Sequence, residues 1–499
     1  MKYIQKTSLW ILIGLFTYSC QIKEEISVET AVSENGNQKD DLQMMVLGEK
    51  LENPYTVKNM QKAWQNLKKS KTVAKRGMEE EIEITTTHLY IRFKPKNEEE
   101  LTLLEKDTTL LLFDHPLDYE ITEEGDFYQD PEISEEQPTY QYTYVEWDKA
   151  LPNVSYELLA NLYLPYDENE EDEEEDEEDV LSKTTSLSLS NMAGLLEEEA
   201  LKITDNLEEE EKNSIYEKCW ICLPSKWRPK GKITLWDTNV GNYIGVEGIK
   251  VRAGRWFKWR KAYTNSKGDF VFKSRFRRKV RYKMDWERYH FALRSGFWAS
   301  AQKRGPYRKG DWIWQIENGE RHQYYGTIFR AAHHYYFKNI KGLRRPPKNS
   351  FWKSQTRIRA SRKQDAGKLG SHSGVRRVWG LGDGIYIYAF GKSSSQIYAT
   401  TIHELAHASH WNFQRVNYNV SKLILAESWA RGVQWELTRM VYPTYVPQYS
   451  TLGYTGFVQD LIDEKGIEKR TNLYYDKDNC ETYRRPTGFK TYTDNVTGY

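Results

Sequence analysis

Thr401-Ile402-His403-Glu404-Leu405-Ala406-His407 is the stretch on which the reading of this chain turns. On a helix, residues four apart lie one above the other on a single face, so the His403 and His407 imidazoles can both reach one zinc ion. Glu404 follows the first of them and can face the metal's open position, where it would act as general base toward water. Ser393 to Gln396 has the Ser-x-x-Gln form of a capping box and predicts that a helix opens there. The run before it, Ile385 to Phe390, predicts a strand that Gly391 ends. Downstream, Leu423, Ala426, Ala430, Val433 and Leu437 recur near helical spacing and predict a second helix. His410 shares a face with His403 and His407, but a further turn of straight helix carries it about 5 Å too far. It is read as a helix-end residue.

This strand, the HExxH helix and the following helix with Glu427-Ser428-Trp429-Ala430 resemble the gluzincin class of zinc metallopeptidases. The resemblance implies a zincin-like fold in which His403, His407 and Glu427 hold Zn2+ and Glu404 is catalytic. It implies a peptide or protein substrate whose backbone adds to an edge strand, here Ile385 to Phe390. The metzincin alternative would need Gly at 410 and His at 413, where this chain has His410 and Phe413. Two departures from the gluzincin pattern stand out. The position four after Glu427, Asp in several members, is Arg431, and no His follows His410. A transition-state donor would then come from Arg431, Arg439, Tyr442, Tyr445, Tyr449 or Tyr454.

The amino terminus carries a second signal. Lys2 and Lys6 precede an apolar run from Leu9 to Phe16 that ends in Thr17-Tyr18-Ser19-Cys20. This is a secretory signal, too short to span a bilayer as a helix. Ser19-Cys20 resembles the lipobox of Bacteroidetes-type lipoproteins, although Thr17 stands where Leu is usual. The resemblance implies lipidation of Cys20, a membrane anchor through that lipid, and an outer-membrane address. Gln21 to Glu25 resembles the signal that sends such lipoproteins to the cell exterior. Cys219-Trp220-Ile221-Cys222 has no second CxxC to complete a four-thiolate site, and Cys480 stands alone. No chemistry is assigned to these thiols.

In 499 residues, 39% are apolar and 14% aromatic, which excludes global disorder and predicts several domains. The formal net charge is zero, and no nucleic-acid partner is expected. Every residue from Asp167 to Asp179 except Asn169 is acidic, whereas Gly342 to Arg377 holds eleven Lys or Arg against Asp365. Both runs read as solvated segments. The expected fold class is α+β and multidomain. Its parts are a signal peptide (1–20), a tether (21–80), a small α+β domain (81–166), an acidic linker and connector (167–225), an all-β sandwich (226–298) and a zincin-like domain (299–499). In the small domain, Leu89-Tyr90-Ile91-Arg92-Phe93 alternates as a half-buried strand, with further strands over Thr108–Phe113 and Tyr140–Val145 and a helix over Glu98–Leu104. Gly248-Ile249-Lys250-Val251 and Thr264 to Phe270 resemble the carboxypeptidase-regulatory-like sandwich, which implies a spacer or binding module. An alternative of another class is a binding or assembly lipoprotein on a zincin scaffold. No carboxylate pair is placed for glycoside hydrolysis.

Overall fold

A computed structural model describes residues 42–69, 82–134, 136–165, 180–207, 223–295, 300–349, 355–362, 368–373, 384–413 and 423–447. The signal segment with Cys20, the acidic run, Cys219, Cys222, Cys480, Tyr449 and Tyr454 lie outside them. The protein is a multidomain mixed α+β chain, with six helices and five sheets among the described residues.

The first unit comprises β1 (Val46–Lys50), α1 (Val57–Lys69), β2 (His88–Phe93), α2 (Glu98–Lys106), β3 (Tyr119–Glu123), β4 (Gln141–Glu146), β5 (Tyr156–Leu162) and α3 (Val180–Ile203). β2 lies between β4 and β5 in an antiparallel sheet, and β1 pairs with β3. α2 starts where Asn97 accepts from the Glu100 amide at 3.0 Å, while the Glu100 carboxylate accepts from the Lys96 amide at 2.9 Å. Three Glu residues in its first turn suit the helix dipole.

This unit is larger than the sequence indicated. Residues within 42–69, expected to be tether, and within 192–203, expected to be connector, contribute to its core. Met60, Ala63 and Trp64 form a narrow apolar stripe on α1 and pack with Tyr55 against Leu196, Ala200 and Leu201 of α3. The stripe is thin in a segment otherwise rich in Lys, Asn and Gln, which gave it the texture of a linker. Thr108–Phe113 is not a strand. It bends as a loop whose one bridge is Phe113 to Tyr142.

From residue 230 the chain weaves two further structures together. It forms β6 (Lys230–Asp237), β7 (Asn242–Gly245), β8 (Lys250–Arg255), β9 (Lys258–Tyr263), β10 (Asp269–Val271), β11 (Val280–Asp285), β12 (Glu287–Arg288), β13 (Phe291–Arg294), β14 (Gln302–Arg308) and β15 (Trp312–Ile316). One sheet runs β10-β6-β15 with β7 on β6, the other β14-β11-β8-β9. Ile233, Leu235, Val251, Phe270, Tyr282 and Met284 fill the space between them. α4 (Arg321–Phe337), β16 (Thr356–Ala360), β17 (Gly370–Ser373) and β18 (Gly384–Ile387) follow. A mixed sheet is ordered β12-β13-β16-β18-β17, with β13, β16 and β18 parallel and β17 antiparallel to β18.

The boundary expected at 298 falls inside this weave. β14 and β15 follow it yet complete the sandwich, while β12 and β13 precede it yet belong to the mixed sheet. β15 pairs in parallel with β6, and such long-range pairing has no local sequence signature. Phe329 of α4 packs on Trp286 and Phe291 at ring distances of 5.5 and 5.3 Å, so one core serves both structures. Arg357, in the basic stretch expected to be solvated, is buried on β16 and ion-paired to Glu98 and Glu105 of α2.

If α1 is core rather than tether, truncating its buried face will destabilise the chain. Met60→Ala is expected to cost about 2–5 kcal/mol, whereas a tether residue would cost nothing measurable. Chemical denaturation followed by tryptophan fluorescence measures the difference.

Candidate metal centre

The centre sits where α5 (Ser394–Phe413) meets α6 (Leu423–Arg439). Much of the capping of α5 comes from another part of the chain. Ser393 Oγ is 3.4 Å from the Gln396 amide, a weak version of the expected box. Thr238 Oγ1 accepts from the Ser394 amide at 2.8 Å and Asn239 Oδ1 from the Ser395 amide at 2.7 Å. Both acceptors belong to the turn after β6. They satisfy amides that a helix start leaves without intrahelical partners.

His403, Glu404 and His407 are fully buried more than two turns further along, and Glu427 enters from α6 with 17% of its side chain exposed. His403 Nε2 and His407 Nε2 are 3.0 Å apart. Glu427 places one carboxylate oxygen 3.3 Å from His403 Nε2 and the other 3.5 Å from His407 Nε2. Bonds of about 2.0–2.1 Å to a tetrahedral zinc put its ligand atoms roughly 3.3 Å apart. The two imidazole nitrogens stand near the edge length a zinc ion requires, and each has a Glu427 oxygen within 3.5 Å. One ligand atom from each of the three residues lies within 4.8 Å of the others, and the donor set suits zinc chemically. Burial holds His407 below its ordinary pKa, which favours the neutral, ligating form. Burial works to raise Glu427, but His407 and His403 beside it hold its carboxyl well below the usual range.

Glu404 differs in kind. Neither of its carboxylate oxygens has a hydrogen-bond partner among the described residues. Burial, and secondarily the charge of Glu427, push its pKa well above the ordinary value. β17 lies directly over it: a Cβ on Gly370 would stand 2.6 Å from Glu404 Oε1, closer than real contacts allow. Only glycine lets the strand approach this carboxylate. The edge-strand expectation is corrected accordingly. Ile385–Ile387 lie in β18, an interior strand between β16 and β17, and Tyr388 to Phe390 have left the sheet. Among the described residues the outer strand on this side of the sheet is β17, with β12 at the far edge. Its Gly-Ser-His-Ser sequence reads as loop, whereas β18 is apolar because it is enclosed on both sides.

His403 is oriented by a residue the sequence reading missed. Its Nδ1 lies 3.1 Å from Gln434 Oε1, and Gln434 Nε2 donates to the Tyr445 hydroxyl at 2.9 Å. Donation from Nδ1 leaves the Nε2 lone pair directed at the triad. Gln434 stands two helical turns after Glu427, on the same face of α6, and that spacing was a readable signal. It takes the orienting position for which Asp was expected one turn earlier, where this chain has Arg431. His410 lies outside the three-residue cluster, 6.3 Å ring to ring from Trp429, and burial pushes it down to about 3.

No protein-family model, curated protein or solved structure matches this chain. The chemistry of the centre is argued from these side chains alone. Of the donors expected for a transition state, Tyr442 is committed elsewhere, its hydroxyl 2.7 Å from Asp237 and 3.0 Å from Arg330. Arg439 is exposed at the end of α6. Tyr445 and Arg431 are those beside the centre, Tyr445 through Gln434 and Arg431 through its charge on His407.

Gln434→Leu is expected to weaken zinc binding about 10–100-fold, read by competition with a chromophoric chelator. A crystal structure of Gly370→Ala should show the Glu404 carboxylate displaced while His403, His407 and Glu427 keep their places.

Proposed function

We propose that this chain is a zinc-dependent metallopeptidase of gluzincin type, exported and held by a lipid on Cys20 at the outer membrane, facing the cell exterior. The observation that carries the reading is the convergence of His403, His407 and Glu427, with one ligand atom of each within 4.8 Å of the others, beside a Glu404 carboxylate that has no hydrogen-bond partner among the described residues. His403, His407 and Glu427 would hold the metal. Bound zinc supplies Lewis acidity, which polarises a scissile carbonyl and eases deprotonation of water.

Glu404 then takes a proton from the attacking water as its oxygen bonds to the carbonyl carbon. It passes that proton to the amide nitrogen as the C–N bond breaks, giving an acid and an amine. β17 and its Gly370 keep the carboxylate enclosed, and enclosure excludes competing water from its proton. Gln434 holds His403 in the tautomer that ligates. Zinc would be the cofactor, and a peptide or protein the substrate.

The second reading is a binding or assembly lipoprotein on the same scaffold. It is favoured by the complete burial of His403, Glu404 and His407. A zinc-loaded preparation that cleaves no member of a peptide library would decide for it.

The test is made on residues 21–499 purified without chelator. The wild type should hold a single zinc per chain, and Glu427→Ala should weaken or lose it. Glu404→Gln should keep the zinc and lose cleavage by roughly 10²–10⁴-fold. Retained turnover in Glu404→Gln would sink the mechanism, and tight zinc without Glu427 would sink the ligand assignment.

A further inference from the structure

A cavity of about 640 Å³ lies between the first unit and the β14-β11-β8-β9 sheet of the sandwich. That volume falls in the range of small-molecule sites. None of its lining residues belongs to the metal centre.

On the sheet beside it, three strands set cation against cation. Lys283 of β11 is paired directly with Arg252 of β8 and Arg304 of β14, and all three are buried. Like charges facing each other across strands destabilise a sheet. Two of the three are answered. Arg252 donates to Asp285 Oδ1 at 2.6 Å and Arg304 to Asp114 Oδ1 at 3.1 Å. Lys283 has no hydrogen bond among the described residues. Its nearest carboxylate oxygen is that same Asp285 Oδ1, 3.9 Å away. This buried set thus holds Arg252, Lys283 and Arg304 against Asp285 and Asp114, one cation in excess. Burial, and then the charge of Arg252, push the Lys283 ammonium down to about 7.

The rung above does not supply an anion, because Glu287 is paired with Lys250. His115, close to Arg304, is pushed by burial to about 3 and stays neutral. An apolar residue in place of Lys283 would serve the fold better. The retained cation lines the cavity and faces what enters it.

The other walls narrow the chemistry. Trp259, Tyr144 and Tyr263 line it with aromatic side chains, Tyr263 beneath the Arg288 guanidinium, and Thr108 and Asn349 line it with neutral polar ones. Asn349 Oδ1 is buried without a hydrogen-bond partner among the described residues. Flat rings with neutral donors and acceptors suit a polyhydroxylated ring, the excess cation suits one carboxylate, and the volume exceeds that of a simple inorganic ion. We propose that this cavity binds an acidic saccharide, its carboxylate seated on Lys283 and Arg252 and its ring among Trp259, Tyr144 and Tyr263. The site stands independently of the zinc reading.

Calorimetric titration of the full chain with sodium D-glucuronate tests this, with D-glucose and sodium acetate as comparators. Glucuronate is expected to bind and to raise the melting temperature, and each comparator to bind at least about tenfold more weakly. Lys283→Met should lose glucuronate binding by about tenfold or more while raising the melting temperature of the ligand-free chain, since it removes a buried ammonium whose ion pair, to Asp285 at 3.9 Å, is long and shared with Arg252. Asn349→Ala leaves the cation row intact and should weaken binding several-fold, which keeps the test open if Lys283→Met fails to fold. The proposal is overturned if the wild type binds none of the three, if acetate binds as tightly as glucuronate, or if both variants bind glucuronate as the wild type does.

Discussion

Asp237 ends β6 fully buried, and its Oδ2 accepts from Arg330 of α4 at 2.9 Å and from Tyr442, just past α6, at 2.7 Å. Its other oxygen accepts from the amides of Asn239 and Val240, closing the turn. The next two residues, Thr238 and Asn239, cap α5. Three consecutive residues of the sandwich therefore fix the start of the helix with His403 and His407, and tie down the end of the helix with Glu427. The spacing of the three donor atoms depends on the relative placement of α5 and α6, so it depends on this turn. Removing one partner from a buried ion pair costs about 3–5 kcal/mol. Here it would also loosen the geometry on which metal binding rests. The sandwich is a structural part of the centre rather than a spacer beside it.

A second pair of joints explains the cavity. The β8–β9 hairpin turns on Trp256-Phe257, with Trp256 at φ 55, an uncommon conformation for a bulky residue. Both side chains are buried in the first unit, Phe257 lying 4.9 Å from Tyr90 and 5.6 Å from Tyr144. That burial offsets the strained turn. At the opposite end α2 is bolted to the mixed sheet, where Glu105 pairs with Arg294 at 2.6 Å and with Arg357 at 2.9 Å. Trp259, two residues past the hairpin tip, and Glu105 on α2 both line the cavity. The two surfaces are pinned at both ends and do not close between them.

What could be read from sequence followed the range of the interactions concerned. β2, β4 and β8 carry period-2 signals over six residues each and were legible. α2 announced itself with Asn97 and three Glu residues. The ligand pair four apart on α5 is a local pattern, and so was legible. Glu427 came through a family likeness, and Gln434 was missed although its spacing from Glu427 was in view. The cap from Thr238 and Asn239 depends on partners 156 residues away, β15 on a parallel partner 81 residues away, and β17 is too polar to show a period. Gly370 gave no signal, because what makes it necessary is the Glu404 carboxylate arriving from another element. The thin stripe of α1 was overruled by its polar surroundings.

Buried charge separates the stabilising parts of this molecule from the parts that cost it stability. Arg357 and Arg294 are matched to Glu98 and Glu105 across the joint of two units, and Asp237 is matched to Arg330 and Tyr442. Such sites lose energy when one partner is removed, and their presence is explained by the fold. Glu404 and Lys283 are buried as deeply, yet among the described residues Glu404 has no hydrogen bond and Lys283 has only a long ion pair to Asp285, so replacing either with an apolar residue of similar shape would relieve the fold. Stability does not account for them. Each also has something to act on: Glu404 stands beside three residues that could hold a metal ion, and Lys283 faces a cavity with aromatic and neutral polar walls. An ionisable group that destabilises its own fold and is aimed at a prepared space is physically intelligible when something outside the chain completes it.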